Sequence, residues 1–272
     1  MSRALAVFHG LFGRATVYQL NRPFNTHAHR EGHLIFQVGG TPARIRVGDD
    51  DHVLGEDVVV AVNPWEPHNF APTDIYDGAL FFVLYVNAGW FASQGDRGHR
   101  LSFGCTRISR TRSLARNVER AAALVCGEPS LTGLDMELRA LIDACHEESW
   151  AQAEAAPTRE RVTDFRIRRS IQLMAEALSA EIALDNLARR SGLSRPHFYK
   201  LFRAQTGLTP HLYLNTLLME KALDGVAAGD GPMADIASEL GFSSQSAFTR
   251  FFAGNVGMAP REYRRAVKVL RA

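Results

Sequence analysis

One stretch of this sequence is used twice, and that repetition restricts the fold more than any other feature. Leu187-Ala-Arg-Arg-Ser-Gly192-Leu193-Ser194 aligns with Ile236-Ala-Ser-Glu-Leu-Gly241-Phe242-Ser243 at an offset of 49. Beyond it, Phe198, Phe202, Gly207 and Pro210 align with Phe248, Phe252, Gly257 and Pro260 at an offset of 50. A supersecondary unit is therefore present in two copies. Each copy reads as a short helix carrying a small residue (Ala188, Ala237), then a Gly where a helix end favours the left-handed conformation. An apolar plug follows (Leu193, Phe242), then a Ser able to cap a second helix (Ser194, Ser244). In that second helix an aromatic pair at i and i+4 faces the core.

Helix, Gly-containing turn and capped second helix are the grammar of a helix-turn-helix. A repetitive helical bundle would use the same Gly and Phe residues, so the outward faces decide between the two. In the first copy they carry Arg195, Pro196, His197, Tyr199 and Lys200, and in the second Gln245, Ser246, Ala247, Thr249 and Arg250. Arg and Lys donate to guanine edges, Gln pairs with adenine, and Thr meets a thymine methyl or a phosphate. Charge agrees: residues 161–272 hold 16 Lys and Arg against 10 Asp and Glu, whereas residues 1–160 hold 15 against 19. A positive module favours polyanions, although on charge alone a solvated basic surface is the plainer reading.

The 272 residues are 46% hydrophobic and 22% charged, enough apolar content for one large or two modest globular domains. The longest apolar stretches, Val58 to Val62 and Ala79 to Val86, fall far short of a bilayer span, and Met1 to Phe12 has no export-signal pattern. A cytoplasmic location with no membrane partner is the expectation. Cys105, Cys126 and Cys145 are odd in number, lack C-x-x-C spacing, and read as reduced apolar residues.

Between Leu34 and Val86 the chain alternates short β-branched or aromatic runs (Leu34–Val38, Ala43–Val47, Val58–Val62, Leu80–Val86) with turn clusters such as Gly48 to Asp51, the pattern of a small all-β sandwich or barrel. From about Arg112 the period becomes helical. Leu114, Val118, Ala121 and Val125 share one face, as do Leu131, Leu134, Leu138, Leu141 and Cys145. Gln152 to Arg161, polar and interrupted by Pro157, reads as a linker. The expected fold class is multidomain α+β: residues 1–151 a barrel with trailing helices at about 112–151, residues 152–162 a linker, and residues 163–272 an all-α DNA-binding domain with two helix-turn-helix units.

Residues 163–268 resemble the DNA-binding domain of the AraC/XylS family of bacterial transcription regulators. The second copy carries the resemblance in detail: Ile236-Ala…Gly241-Phe242-Ser…Phe248-Thr-Arg250-Phe-Phe252…Gly257-Met-Ala-Pro260-Arg-Glu-Tyr263-Arg264. The resemblance implies two units joined by a long helix, here Pro210 to Leu223, which sets two recognition helices into adjacent major grooves. Carried over by position, the base-reading sites fall on Pro196 and Lys200 and on Ser246 and Arg250, with Arg195, Tyr199, Gln245 and Thr249 beside them. Two departures stand out. Pro196 has no donor for a base edge, and Ala253-Gly254 occupies a place where the family often has Lys, which implies weaker phosphate contact there.

His27-Ala-His29-Arg-Glu-Gly-His33 and the later Asn63-Pro64-Trp65-Glu66-Pro67-His68 resemble the metal motifs of the cupin barrel, as found in the sensor domains of many AraC-like regulators. His27 and His29, two apart on a strand, share a face, and His68 can return to them. The Glu usual in the family falls on His33. His27, His29, His33 and His68 thus form a candidate site for a divalent metal, with Zn, Fe, Mn and Ni all open. The same four histidines with Trp65, and Phe36 as a second wall, are equally candidates for holding a small-molecule effector without metal. The function implied is an effector-responsive, sequence-specific transcription regulator and activator that is not an enzyme. Its partners would be double-stranded promoter DNA, a small molecule bound by the cupin-like residues 1–151, RNA polymerase and a second copy of the chain, the last through dimerisation helices at about 112–151 that could equally just cap the barrel. The alternative is a metal-dependent cupin oxygenase or isomerase with an appended helical domain. G-x-x-x-x-G-K, G-x-S-x-G and H-E-x-x-H are absent from the sequence.

Overall fold

A computed structural model of the chain describes residues 2–73, 78–93, 101–127, 131–154, 162–229 and 231–269. The N-terminal half is built on strands β1 (Arg3–Gly10), β2 (Gly13–Leu20), β3 (Gly32–Gly40), β4 (Ala43–Val47), β5 (Asp50–Leu54), β6 (Val58–Val62), β7 (His68–Pro72), β8 (Ala79–Val86) and β9 (Arg107–Ser109). Helix α1 (Ala88–Ser93) follows β8, and α2 (Arg112–Cys126) and α3 (Leu131–Ala151) follow β9. The C-terminal half carries α4 (Phe165–Glu176), α5 (Leu184–Arg190), α6 (Arg195–Thr206), α7 (Pro210–Ala228), α8 (Met233–Glu239), α9 (Gln245–Val256), α10 (Pro260–Ala266) and a last strand, β10 (Val267–Val269).

Seven strands in the order β10-β1-β2-β8-β3-β6-β9 make a large sheet, and β5-β4-β7 a small one facing it. In β4 the expected alternation is realised: Ala43, Ile45 and Val47 are buried while Arg44 and Arg46 are exposed. The turn after it is shorter than the Gly48 to Asp51 cluster suggests. Gly48 in the left-handed region and Asp49 make the reversal, and Asp50 and Asp51 already belong to β5, where Asp51 accepts two hydrogen bonds from Arg46. All five residues of β6 are buried because the large sheet is covered on both faces. Val59 and Ala61, with Phe36 and Phe82, pack under α2 and α3, whose buried rows are Leu114, Val118, Ala121, Val125 and Leu134, Leu138, Leu141, Cys145. Thr111 caps α2, accepting from the Leu114 amide. The side chain of Leu131, placed on the same row from sequence, lies outside the described residues.

The opposite face of the large sheet meets two covers. One is the small sheet, through Ile45, Leu54 and Phe70; the other is the C-terminal half itself, through Met219, Leu223, Phe248, Phe252, Met258 and Tyr263, all in one continuous apolar cluster with Val7, Tyr18, Ile35 and Val83. The second helix-turn-helix unit therefore shares its core with the sheet. Polar contacts fasten the same seam: β10 pairs in parallel with β1, the Asn25 amide donates to the Gly254 carbonyl, and His9 Nε2 lies 3.0 Å from the Tyr263 hydroxyl. The first unit has a separate core of Ile167, Leu187, Leu193, Phe198, Phe202, Leu214 and Leu217. It meets the sheet domain through Trp65, whose indole stacks on Tyr213 at 4.3 Å and 5°.

Of the expected linker, residues 155–161 lie outside the described residues. Gln152 is already anchored, accepting from the Ser109 amide and donating to Glu148. On the far side, Gln205 accepts from the amides of Thr163 and Asp164 just before α4. No helix among the described residues is long and apolar enough to cross a membrane.

The shared core sets an expectation for Phe252, which is fully buried. Phe252→Ala should cost about 3–5 kcal/mol, and urea unfolding followed by sheet and helix signals in circular dichroism should show both halves losing stability together. Phe202→Ala, a cavity of the same kind in the separate core, should lower the helical transition and leave the sheet transition near its wild-type midpoint.

Candidate nucleic-acid interface and histidine cavity

The two second helices, α6 and α9, are held in the same way. Gly192 and Gly241 end the preceding helices with φ of 69° and 73°, the conformation that a Cβ disfavours. Leu193 is buried and Phe242 half-buried in the angle between helices. Phe198 and Phe202 anchor α6 and Phe248 and Phe252 anchor α9, all fully buried. Ser244 caps α9, accepting from the Ala247 amide; Ser194 stands at the equivalent position of α6 without a side-chain cap bond. Pro196 sits in the first turn of α6, where its missing N–H is no loss.

This anchoring fixes what faces outward. Arg195, Pro196, Lys200, Gln245, Ser246 and Arg250 are exposed, and Tyr199 and Thr249 half-exposed. They are not equally available. Arg195 donates to Asp185 of α5 at 3.2 Å and lies over the Tyr199 ring. The Thr249 hydroxyl donates to the Gln245 carbonyl within its own helix. Among the described residues, Lys200 and Arg250 have no ion-pair partner, so their charges point to solvent unpaired. At the second departure from the family pattern, Ala253-Gly254, the Gly254 carbonyl accepts from the Asn25 amide. The end of α9 lies against the segment preceding the histidines, and a Cβ on Gly254 would stand 2.9 Å from Asn25 Nδ2.

The four histidines also come together. His27 lies on a single antiparallel bridge to His68 rather than in a strand, each amide donating to the other's carbonyl at 2.9 Å. His29 follows two residues on, and His33 enters from the start of β3. All four are buried. His27, His29 and His68 each offer a ring nitrogen within 4.8 Å of the others. His33 stands beside this group, its ring 4.5 Å from that of His68 and stacked on Tyr85 at 5.1 Å. Nδ1 of His27 donates to the Asn25 carbonyl at 2.8 Å and Nδ1 of His68 to the Glu66 carbonyl at 2.9 Å. Each ring therefore turns the Nε2 lone pair inward, as ligating imidazoles do. His29 Nε2 has no hydrogen-bond partner among the described residues. Burial first, with neighbouring charges adding to it, lowers all four imidazoles from their ordinary range, His29, His33 and His68 well below it and His27 less so because its bond to the Asn25 carbonyl opposes the shift.

The cavity they line holds about 60 Å³. That is room for an ion with a water or two rather than for a sugar or an aromatic metabolite. The stacking wall expected from sequence is also absent. Phe36 belongs to the core under α2 and α3, stacked on Phe82. Trp65, in a turn at φ 62° with its amide donating to the His29 carbonyl, is spent on Tyr213 and does not line the cavity. Sequence reading missed Arg14, which lines the cavity with its guanidinium 3.8 Å over the Tyr85 ring. Its signal was a lone cation inside the apolar run Gly13-Arg14-Ala15-Thr16-Val17.

Comparison with known proteins places the helical half. The sequence profile of a helix-turn-helix domain matches residues 187–266. The transcriptional activator RhaS of Escherichia fergusonii is 30% identical over 102 residues, 38% of this chain and 37% of that protein. The RCS-specific activator RclR of Escherichia coli is 33% identical over 100 residues, 37% of this chain and 35% of that protein. The chain thus spans about a third of the length of these relatives, in the region of the repeat. Over nearly the whole length the fold is that of ToxT from Vibrio cholerae, with a TM-score of 0.58 at 12% identity, covering 93% of this chain and 96% of that one. An unsaturated-fatty-acid-bound ToxT structure gives 0.56 at 15% identity, over 92% and 94%.

Proposed function

We propose that this chain, whose residues 187–266 match a helix-turn-helix domain, is a sequence-specific, effector-responsive transcription regulator of the AraC type acting in the cytoplasm. The observation that carries the reading is the pair of α6 and α9. Two surface helices are pinned by Phe pairs and present unpaired cations, from a domain whose relatives bear the names of transcriptional activators. In this reading Lys200 and Arg250 donate to base edges, and Arg195, Tyr199, Gln245, Ser246 and Thr249 make adjoining contacts. Pro196 contributes apolar surface only. Residues 1–151 form the sensing part and 163–272 the DNA-binding part. RNA polymerase and a second copy of the chain, the latter through α2 and α3, are its further proposed partners. The function proposed is non-catalytic.

The histidine cavity fits a divalent metal better than an organic effector, because its donors are neutral imidazoles oriented by backbone carbonyls in an ion-sized space. His27, His29 and His68 would hold the ion, with His33 adjacent. Bound there, it would tie the bridge at His27 and His68 to the segment leading into β3, a cross-link within the sensing part.

Footprinting of the full chain on DNA upstream of its own and neighbouring genes, at moderate salt, should protect one face over about two helical turns per subunit. A folded protein that protects no site would overturn the regulator reading. In titrations against that site, Arg250→Ala should weaken binding by about 1–3 kcal/mol while random-sequence binding changes little, because a base contact is lost rather than a phosphate contact. Metal analysis after purification without chelator should find close to one zinc, iron, manganese or nickel ion per chain. His29→Ala should abolish that content and lower the thermal midpoint of the metal-loaded protein toward that of the chelated one.

A further inference from the structure

A second cavity, of about 490 Å³, lies between the sheet domain and α7. It is in the size range of metabolite sites, eight times the histidine cavity. The sheet domain contributes Arg14, Arg30 and Glu31, and α7 contributes Glu220, Leu223 and Asp224. Glu220 and Asp224 are four apart and so share one helix face.

The charges lining it are of both signs and come from different walls. Arg14 is 4% exposed, yet its nearest carboxylate, Glu31, is 3.7 Å away, and its Nε has no hydrogen-bond partner among the described residues. Burial opposes its charge, but Tyr263, Glu31, Tyr85 and Tyr18 outweigh that and keep the guanidinium ionised, so a fixed positive charge stands on this wall. Across the cavity, Glu220 accepts from the Arg30 amide at 2.9 Å and faces the exposed Arg30 guanidinium at 3.6 Å. Burial pushes its carboxyl up to about 7. Asp224, partly shielded by the same walls, is raised as well. One wall of the cavity therefore carries a buried guanidinium with Glu31 beside it, and the other carries two carboxylates, of which Glu220 faces the exposed Arg30.

From this we infer that the cavity between the sheet domain and α7 binds a small zwitterion of amino-acid type, its carboxylate on Arg14 and its ammonium between Glu220 and Asp224. The inference rests on the regulator reading and names its effector class. It places the effector in the cavity adjoining that of the histidines, the two sharing Arg14 and Leu223 as a wall. Because α7 joins the two helix-turn-helix units, a ligand bridging Arg14 to α7 has different affinity for arrangements that differ across that seam, as an effector must.

The test uses the full-length protein, titrated calorimetrically with the individual proteinogenic amino acids. Agmatine serves as a cation without carboxylate and glutarate as a dicarboxylate without amine. At least one amino acid should bind saturably, with agmatine and glutarate each much weaker. Asp224→Asn and Glu220→Gln, both at surface-reaching positions, should each weaken it about tenfold or more, the loss expected for one charge-assisted hydrogen bond. Arg14→Lys adds a third reading where circular dichroism shows it folded. Binding that survives Asp224→Asn and Glu220→Gln, or that is lost instead with His29→Ala, overturns the assignment, as does a failure of every amino acid to bind. DNA binding measured on the same preparations separates the two claims. Intact DNA binding without amino-acid binding removes this inference alone, and amino-acid binding without DNA binding upholds the cavity while removing the regulator reading.

Discussion

The arrangement of this molecule depends on one apolar mass serving two domains. Phe248 and Phe252 are the buried side of a helix whose other side faces solvent, and they sit in the same cluster as Ile35, Val60 and Val83 of the large sheet. Hydrophobic burial is non-directional, but it is contiguous: apolar surface removed from water on both sides of a seam cannot be re-exposed on one side only. The second helix-turn-helix unit is therefore part of the sheet domain's cover. The first unit has its own core and meets the sheet domain chiefly by the stacked Trp65 and Tyr213. Two copies of one motif thus have unequal freedom, and α7, which belongs to both, is where that inequality is expressed.

Polar groups buried along the seam carry the opposite sign. Four imidazoles and a guanidinium lie in surroundings that disfavour charge, and each is tolerated for a local reason. His27 and His68 stay neutral and satisfy Nδ1 on backbone carbonyls. Arg14 keeps its charge beside the faces and hydroxyls of tyrosines, Tyr85 nearest. Such groups make the interior less stable than an apolar filling of equal volume would, which is the usual mark of a place kept for binding rather than for packing.

Much of this was readable before any coordinates. The repeat dictated α5–α6 and α8–α9 because Gly, plug, cap and Phe pair each answer a local demand of the backbone. The rows Leu114 to Val125 and Leu134 to Cys145 gave α2 and α3 because only one face of each is buried. Strands β1 and β2 escaped notice because their residues are buried on both faces, so period-two alternation is missing from Val7, Phe8, Ala15 and Val17. β7 hides between Pro67 and Pro72, and β9 is three residues long. His27, His29, His33 and His68 were found by spacing alone. Trp65 was misplaced because spacing does not reveal that Tyr213, far along the chain, competes for the same indole. Arg14, Glu220 and Asp224 converge only through the docking of α7, a tertiary fact that no local pattern encodes.

The offset of the repeat changes from 49 to 50 at Ser243, so the second turn is one residue longer than the first although the cap-to-Phe register of the two helices is the same. Their outer faces also differ, Pro196 and Lys200 on one and Ser246 and Arg250 on the other. A symmetric dimer reads the same sequence from both ends and has no preferred direction on DNA. In the reading proposed for α6 and α9, two unlike helices in a single chain, one of them sharing its core with the sheet domain, have a front and a back on DNA. A single copy bound to its site would point one way along the duplex, and the sheet domain would always lie on the side of the second reader.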